Sequence, residues 1–274
     1  MKNWIEQENG VRLFYRDWGN GPTILFVSSW ALSSEGWGYP MHMLSQQGFR
    51  CVAFDRRGHG NSSDPGEGYD YDTLASDLHH VIERLKLEDV LIVGHSMGCG
   101  EVIHYLDRYG TKRVKGVILI GTTTPAMRLS AANPGAFPSD LLELNYQAMR
   151  DNLPRWVDDN VDAFFMPDTL PSMKDWVRQM LMRVSFNALC QCQRTNMDAD
   201  FTAVLPKMDM PVLLIHGDKD VSQPIEAFAH RSAELFPNCR LEIYRDAPHG
   251  LIFTHAQRLL RDISEFHAEI MKRE

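Results

Sequence analysis

A chain of 274 residues, 44% hydrophobic and 23% charged, is long enough to bury one large core and suits a single α/β domain with an insertion. Its formal net charge of −8, without any basic run, argues against nucleic acid or an anionic membrane as a partner. Residues 1–8 lack the apolar stretch of a signal peptide, and no segment approaches the roughly 18 apolar residues of a membrane span, so a cytoplasmic protein is expected. Five cysteines fit a reducing compartment better than a disulfide framework.

In chain order, residues 12–18 and 23–27 read as strands, 38–47 as a helix and 50–54 as a strand. Arg56-Arg57 follows on a glycine-rich loop and is read as a structural element of that loop rather than a phosphate contact. Residues 71–87 are helical, 90–94 strand, 97–109 helix and 116–120 strand. This alternation predicts a mostly parallel sheet covered by helices on both faces. It lapses over 122–206, a stretch punctuated by proline and rich in large apolar side chains, among them Trp156, Phe164, Phe165, Met166, Trp176, Met180, Met182 and Phe186. That stretch is read as a helical cap inserted into a core domain made of residues 1–121 and 207–274. Most of its aromatics and methionines are expected to hold the cap helices together, the others to line an apolar pocket. Asp200 is read as a helix cap or a brace of the cap hinge. The alternation returns with strands at 210–215 and 240–245 and ends on a helix over 254–272.

Chemistry enters at Gly94-His95-Ser96-Met97-Gly98, where an apolar run feeds into Gly-x-Ser-x-Gly. Such a sharp strand-to-helix turn exposes the Ser96 hydroxyl at a helix N-terminus, where unpaired N–H groups favour developing negative charge. A serine nucleophile needs a base and an acid, and in this fold class they follow in the order Ser, Asp, His. The loop after the strand ending at Gly217 offers Asp218 and Asp220. Asp218, directly behind Gly217, suits a turn-organising acid, which leaves Asp220 as the catalytic one. The other strand end, Thr122-Thr123-Thr124-Pro125, carries no carboxylate. His249, in Asp246-Ala247-Pro248-His249-Gly250, stands on a tight, exposed turn suited to a general base. His79, His80, His255 and His267 fall on helices and are read as solvated or satisfied side chains. Backbone N–H groups of Met97 and of Trp30, in the loop after residues 23–27, are the candidate oxyanion donors. The Trp30 ring itself is read as pocket wall. Cys190-x-Cys192 lies in helix without metal-site spacing, Cys99 is a small packing residue, and no metal motif, dinucleotide fingerprint or phosphate-loop lysine is present, so no metal or cofactor is indicated.

With these residues in place the chain resembles the α/β-hydrolase family, in particular its bacterial arylesterases and the related cofactor-free haloperoxidases or perhydrolases. The likeness rests on the serine motif, on Asp55-Arg56-Arg57-Gly58-His59-Gly60-Asn61-Ser62, on Tyr71-Asp72-Thr73-Leu74 and Asp200-Phe201, and on the segments carrying Asp220 and His249. The resemblance implies an α/β-hydrolase fold, a Ser96, Asp220, His249 triad and an oxyanion hole lined by Trp30 and Met97. It further implies hydrolysis of small aryl or short-chain esters, or of lactones, with perhydrolysis as a side reaction. One departure stands out: Ser28-Ser29 replaces the family's usual His-Gly, which adds a Cβ and removes an imidazole that would brace the loop. A ligand receptor with slow or no turnover, and a lyase or cofactor-independent oxygenase, are the rival readings. A homo-oligomer is compatible with an enzyme of this kind, although the sequence marks no interface.

Overall fold

The structure, a computed structural model, describes residues 3–272. Eight strands form one sheet: β1 Trp4–Glu6, β2 Arg12–Trp18, β3 Thr23–Val27, β4 Arg50–Phe54, β5 Val90–His95, β6 Val114–Ile120, β7 Val212–Gly217 and β8 Cys239–Tyr244. Their order across the sheet is β1-β2-β4-β3-β5-β6-β7-β8. The first two pairings are antiparallel and all the others parallel.

The central strands carry apolar runs because both of their faces are covered. Every residue of β3, β5 and β7 is buried, as expected for parallel strands between helical layers. Alternate side chains divide between two cores. Leu25, Val27, Val90 and Ile92 join helices α2 (Tyr71–Arg84) and α3 (Met97–Tyr109) on one face. Ile24, Phe26, Leu91 and Val93 join α1 (Gly38–Gln46) and the C-terminal helix on the other. Fully burying one such side chain stabilises the fold by about 1.5 to 3 kcal/mol, and truncation to alanine costs about 2 to 5 kcal/mol because a cavity remains.

Most boundaries shift by no more than two residues, and three differences from the sequence reading are larger. β1 was not expected, since three residues at a sheet edge are too few to show a period. The helix from Tyr71 ends at Arg84, because Lys86 adopts φ +52° and breaks the turn. The C-terminal helix is split at His255 (φ −119°) into α9 (Leu251–Thr254) and α10 (Ala256–Met271), which buries Leu259, Leu260, Ile263, Phe266 and Ile270 as one stripe.

Between β6 and β7 lie four α-helices, α4 (Ser139–Asp151), α5 (Leu153–Phe164), α6 (Pro171–Met182) and α7 (Phe186–Asp198). The two ends of this insertion are tied together. Asp200 bridges Ala126 through the backbone, the Phe201 N–H donates to Pro125 O at 2.8 Å, and the Asp200 carboxylate accepts the Thr202 N–H at 2.8 Å. A short α8 (Arg231–Leu235) precedes β8. Among the described residues no helix is long and apolar enough to cross a membrane.

Candidate active site

β5 ends at His95, and Ser96 turns with φ +56° and ψ −122°, a region that a non-glycine residue occupies only at a cost of order 1 to 3 kcal/mol. The turn is held by the Ser96 N–H, which donates to Ile120 O at the end of β6 (2.9 Å), and by the Cys99 N–H, which donates to Ser96 O (2.9 Å). Gly98 is required by close approach: a Cβ there would stand 2.7 Å from both Ser28 O and Val27 O. Helix α3 therefore begins directly against the loop after β3. Among the described residues neither the Met97 nor the Trp30 N–H has a protein acceptor, while the Met97 side chain is wholly buried in the core.

β7 and β8 deliver the other two groups. His249 Nε2 lies 2.9 Å from Ser96 Oγ, and His249 Nδ1 lies 2.6 Å from Asp220 Oδ2. The second Asp220 oxygen accepts the Gln223 N–H at 2.7 Å. Burial by itself raises the Asp220 carboxyl pKa, but the imidazole of His249 and hydrogen bonds from His216 and His249 outweigh it and hold the group well below the ordinary carboxylate range. Asp218 does something else. Its carboxylate accepts the Asp246 N–H at 2.7 Å and so ties the loop after β7 to the one carrying His249.

The turn bearing His249 was expected to be exposed, and it is not: His249 is 4% exposed. The insertion covers it, with the Phe164 ring edge-on to the imidazole at 5.5 Å and Phe164 O accepting the Gly250 N–H at 2.8 Å. Nor did the sequence reading single out two buried histidines beneath the site. His95 Nε2 lies 3.1 Å from His249 O, and His216 Nε2 lies 2.8 Å from Gln223 O and 3.3 Å from Asp220 Oδ2. His95 is the last and His216 the penultimate residue of an otherwise apolar buried strand, and a polar residue in that place was the signal available.

The Ser28-Ser29 loop is braced despite its missing imidazole. Arg56, itself buried and paired with Glu101 at 2.8 Å, donates to Ser28 O (2.8 Å) and Ser29 O (3.1 Å). In a trans peptide the N–H points opposite to its carbonyl, so the grip on Ser29 O turns the Trp30 N–H away from the guanidinium. On the next peptide, His59 Nε2 lies 2.6 Å from Trp30 O. Arg57 is likewise structural, in a buried pair with Asp77 at 2.7 Å. The Trp30 ring donates through Nε1 to Leu189 O (2.9 Å) and meets Trp156 edge-on at 5.6 Å.

Above Ser96 and His249 opens a cavity of about 380 Å³, walled mainly by Trp30, Leu142, Trp156, Val161, Phe164 and Leu181. Of the eight aromatic and methionine residues that the sequence singled out in the insertion, Trp156 and Phe164 face this cavity. Phe165 and Met180 are buried in the core, Met182 and Phe186 are exposed, and Trp176 anchors the insertion through Nε1 to Glu35 Oε1 (2.7 Å). Among the described residues no group of three or more His, Cys, Asp or Glu side chains is arranged to hold a metal ion.

A sequence profile of the α/β hydrolase fold matches residues 22–256. The chain is 33% identical over 265 residues to a non-heme chloroperoxidase of Kitasatospora aureofaciens, covering 94% of this chain and 96% of that one. It is 34% identical over 275 residues to a bifunctional esterase/perhydrolase of Acinetobacter calcoaceticus, covering 96% and 98%. An esterase from Exiguobacterium antarcticum superposes with a TM-score of 0.94 at 27% identity, over 98% of this chain and 100% of that one. Sheet order, helical layers and these relatives agree, and the chain belongs to the α/β-hydrolase family.

Proposed function

We propose that this protein is a serine hydrolase of small carboxylic esters, with aryl and short-chain acyl esters or lactones as substrates. The observation that carries the reading is the continuous hydrogen-bonded chain from Ser96 Oγ through His249 to Asp220, standing at the floor of an apolar cavity. In the proposed reaction His249 Nε2 takes the Ser96 proton as Oγ attacks the ester carbonyl, and Asp220 orients the ring and stabilises the imidazolium. The Met97 and Trp30 N–H groups, which have no protein acceptor among the described residues, receive the oxyanion. His249 then protonates the departing alcohol, and water attacks the acyl-serine by the same route. Residues 1–121 and 207–274 act as the catalytic core and residues 122–206 as the cap that selects what enters.

Hydrogen peroxide in place of water would release a peracid, which oxidises halide without metal or haem. The non-heme chloroperoxidase and esterase/perhydrolase relatives favour this second outcome of the same acyl-enzyme. The reading is tested by hydrolysis of p-nitrophenyl acetate to hexanoate by wild type and Ser96→Ala. Turnover that disappears with the hydroxyl supports it, and equal turnover by the two proteins removes it.

A further inference from the structure

One imidazole packed against the triad has no part in the proposed reaction. His216, the penultimate residue of β7, is wholly buried, and its Nε2 stands between two oxygens, Gln223 O at 2.8 Å and Asp220 Oδ2 at 3.3 Å. A carbonyl and a carboxylate only accept, so Nε2 carries the ring proton. Nδ1 is left buried without a hydrogen-bond partner. The strand before it, Val212, Leu213, Leu214 and Ile215, is apolar and buried, and an aliphatic side chain at 216 would pack there without orphaning a nitrogen. A strand that keeps a histidine against that rule keeps it for the site it adjoins.

The His216 N–H reaches the catalytic acid by two routes. Directly, it faces Oδ2, the same oxygen that His249 Nδ1 meets at 2.6 Å. Through the main chain, it fixes Gln223 O, while the Gln223 N–H donates to Asp220 Oδ1 at 2.7 Å. The other titratable groups around this pair are turned elsewhere or neutral. His95, at the end of β5, donates through Nε2 to His249 O (3.1 Å), and burial with the neighbouring His249 pushes it down to about 3, so it carries no charge at neutral pH. Asp218 accepts the Asp246 N–H, Lys219 and Glu226 are exposed, and His230 is half-buried at the end of the helical turn behind the loop. On β8 the Tyr244 hydroxyl donates to Asp262 (2.6 Å), and after β6 Gly121 presents no side chain, where a Cβ would stand 3.2 Å from His249 Nδ1.

We propose that His216 is a positioning residue of the acyl transfer. Its Nε2–H holds the Asp220 carboxylate in line with His249 and shares the charge on Oδ2, which extends the polar row from Ser96 through His249 and Asp220 to a second imidazole. His216 acts through Asp220 and meets no substrate, so its assignment rests on the serine-hydrolase reading of the site. A carboxylate that loses one donor becomes a stronger acceptor for the His249 N–H and favours the imidazolium. Higher pH is then needed before the ring can take the Ser96 proton.

The pH profile of kcat/KM on p-nitrophenyl acetate reads this out. In His216→Leu, close in volume and without a donor, the acid limb should move up by about one pH unit and the plateau kcat should fall roughly tenfold, with KM within about twofold. His216→Gln, which returns an N–H at similar reach, should recover most of both changes. The position of the limb is read within each protein and does not depend on how much of it is folded. An unmoved limb in His216→Leu, or a limb displaced equally in the two variants, overturns the proposal. Wild type alone supplies a second test. Long-range proton–nitrogen NMR spectra of the histidine-labelled protein should show His216 as the Nε2–H tautomer, and an Nδ1–H tautomer, which can donate to neither oxygen, overturns the proposal whatever the variants do. Equal turnover by wild type and Ser96→Ala removes the hydrolase reading and this assignment with it. Turnover that needs Ser96 but has an acid limb indifferent to His216 removes this assignment alone.

Discussion

The strand-end loops and the helical insertion face each other across one cavity and are built on opposite principles. On the sheet side nearly every backbone group near Ser96 is held by a partner. The Ser96 N–H is held by Ile120 O, Ser28 O and Ser29 O by Arg56, the Asp246 N–H by Asp218 and the Gln223 N–H by Asp220. On the insertion side the cavity is walled by side chains such as Trp156, Leu142 and Phe164, and its exposed ties are ion pairs such as Arg194 with Glu143 and Arg128 with Asp198. The sheet side fixes geometry, on which catalytic rate depends steeply. The insertion side fixes shape, on which, under the proposed function, substrate preference should depend more gently.

The comparison predicts a hierarchy of effects. Ser96→Ala and His249→Ala should each lower kcat/KM on p-nitrophenyl acetate by roughly ten-thousandfold or more, with native near-UV circular dichroism retained. Residual activity within about tenfold of wild type in either variant would place the chemistry elsewhere. Arg56 should come next, through the loop it grips. Arg56→Met leaves Glu101 buried and unpaired and should cost about 3 to 5 kcal/mol in urea unfolding. Adding Glu101→Leu should recover most of that stability while kcat stays roughly a hundredfold down, because the Trp30 amide has lost its orientation. Recovery of kcat together with stability would show the pair to be structural only.

On the insertion side the effects should be smaller and should fall on preference. Trp156→Ala enlarges the cavity and should raise the kcat/KM ratio of p-nitrophenyl octanoate to acetate by about tenfold. An unchanged chain-length profile would show that Trp156 does not bound the acyl site.

The last expected effect is on stability rather than on turnover, a pH dependence that belongs to the sheet side. Burial, with a further contribution from Arg56, pushes His59 down to about 4, and burial with His249 pushes His95 down to about 3, from an ordinary 6.5. Below about pH 6.5 the unfolded chain binds protons that the folded chain refuses, so stability should fall on acidification from pH 7 towards 4. The slope should approach about 1.4 kcal/mol per pH unit for each histidine and vanish above pH 7. Urea midpoints measured from pH 5 to 7.5 check the sign, and His59→Gln should flatten the slope.

How far the sequence could be read follows the same division. The central strands were legible because complete burial leaves unbroken apolar runs, and the serine turn because Gly94 and Gly98 are demanded by close backbone approach. Asp218 could be told from Asp220 by its place directly behind Gly217. The clamp of Arg56 on Ser28 and Ser29 was not legible, because it joins residues 27 and 28 positions apart with no local pattern. The covering of His249 by Phe164 was hidden for the same reason, since Pro248 and Gly250 mark a turn but not what packs on it. Within the insertion the large apolar residues could be recognised as a group. Only the fold distinguishes Trp156, which faces the cavity, from Met182, which faces solvent.

The central claim is that Ser96 is the nucleophile of a covalent acyl transfer, and the most direct measurement traps it. Wild type incubated with diethyl p-nitrophenyl phosphate should lose esterase activity as one diethylphosphoryl group is added, and peptide mass spectrometry should place that group on Ser96. Ser96→Ala should take up none. Modification at another residue, or full inactivation of wild type with Ser96 unmodified, would contradict the account.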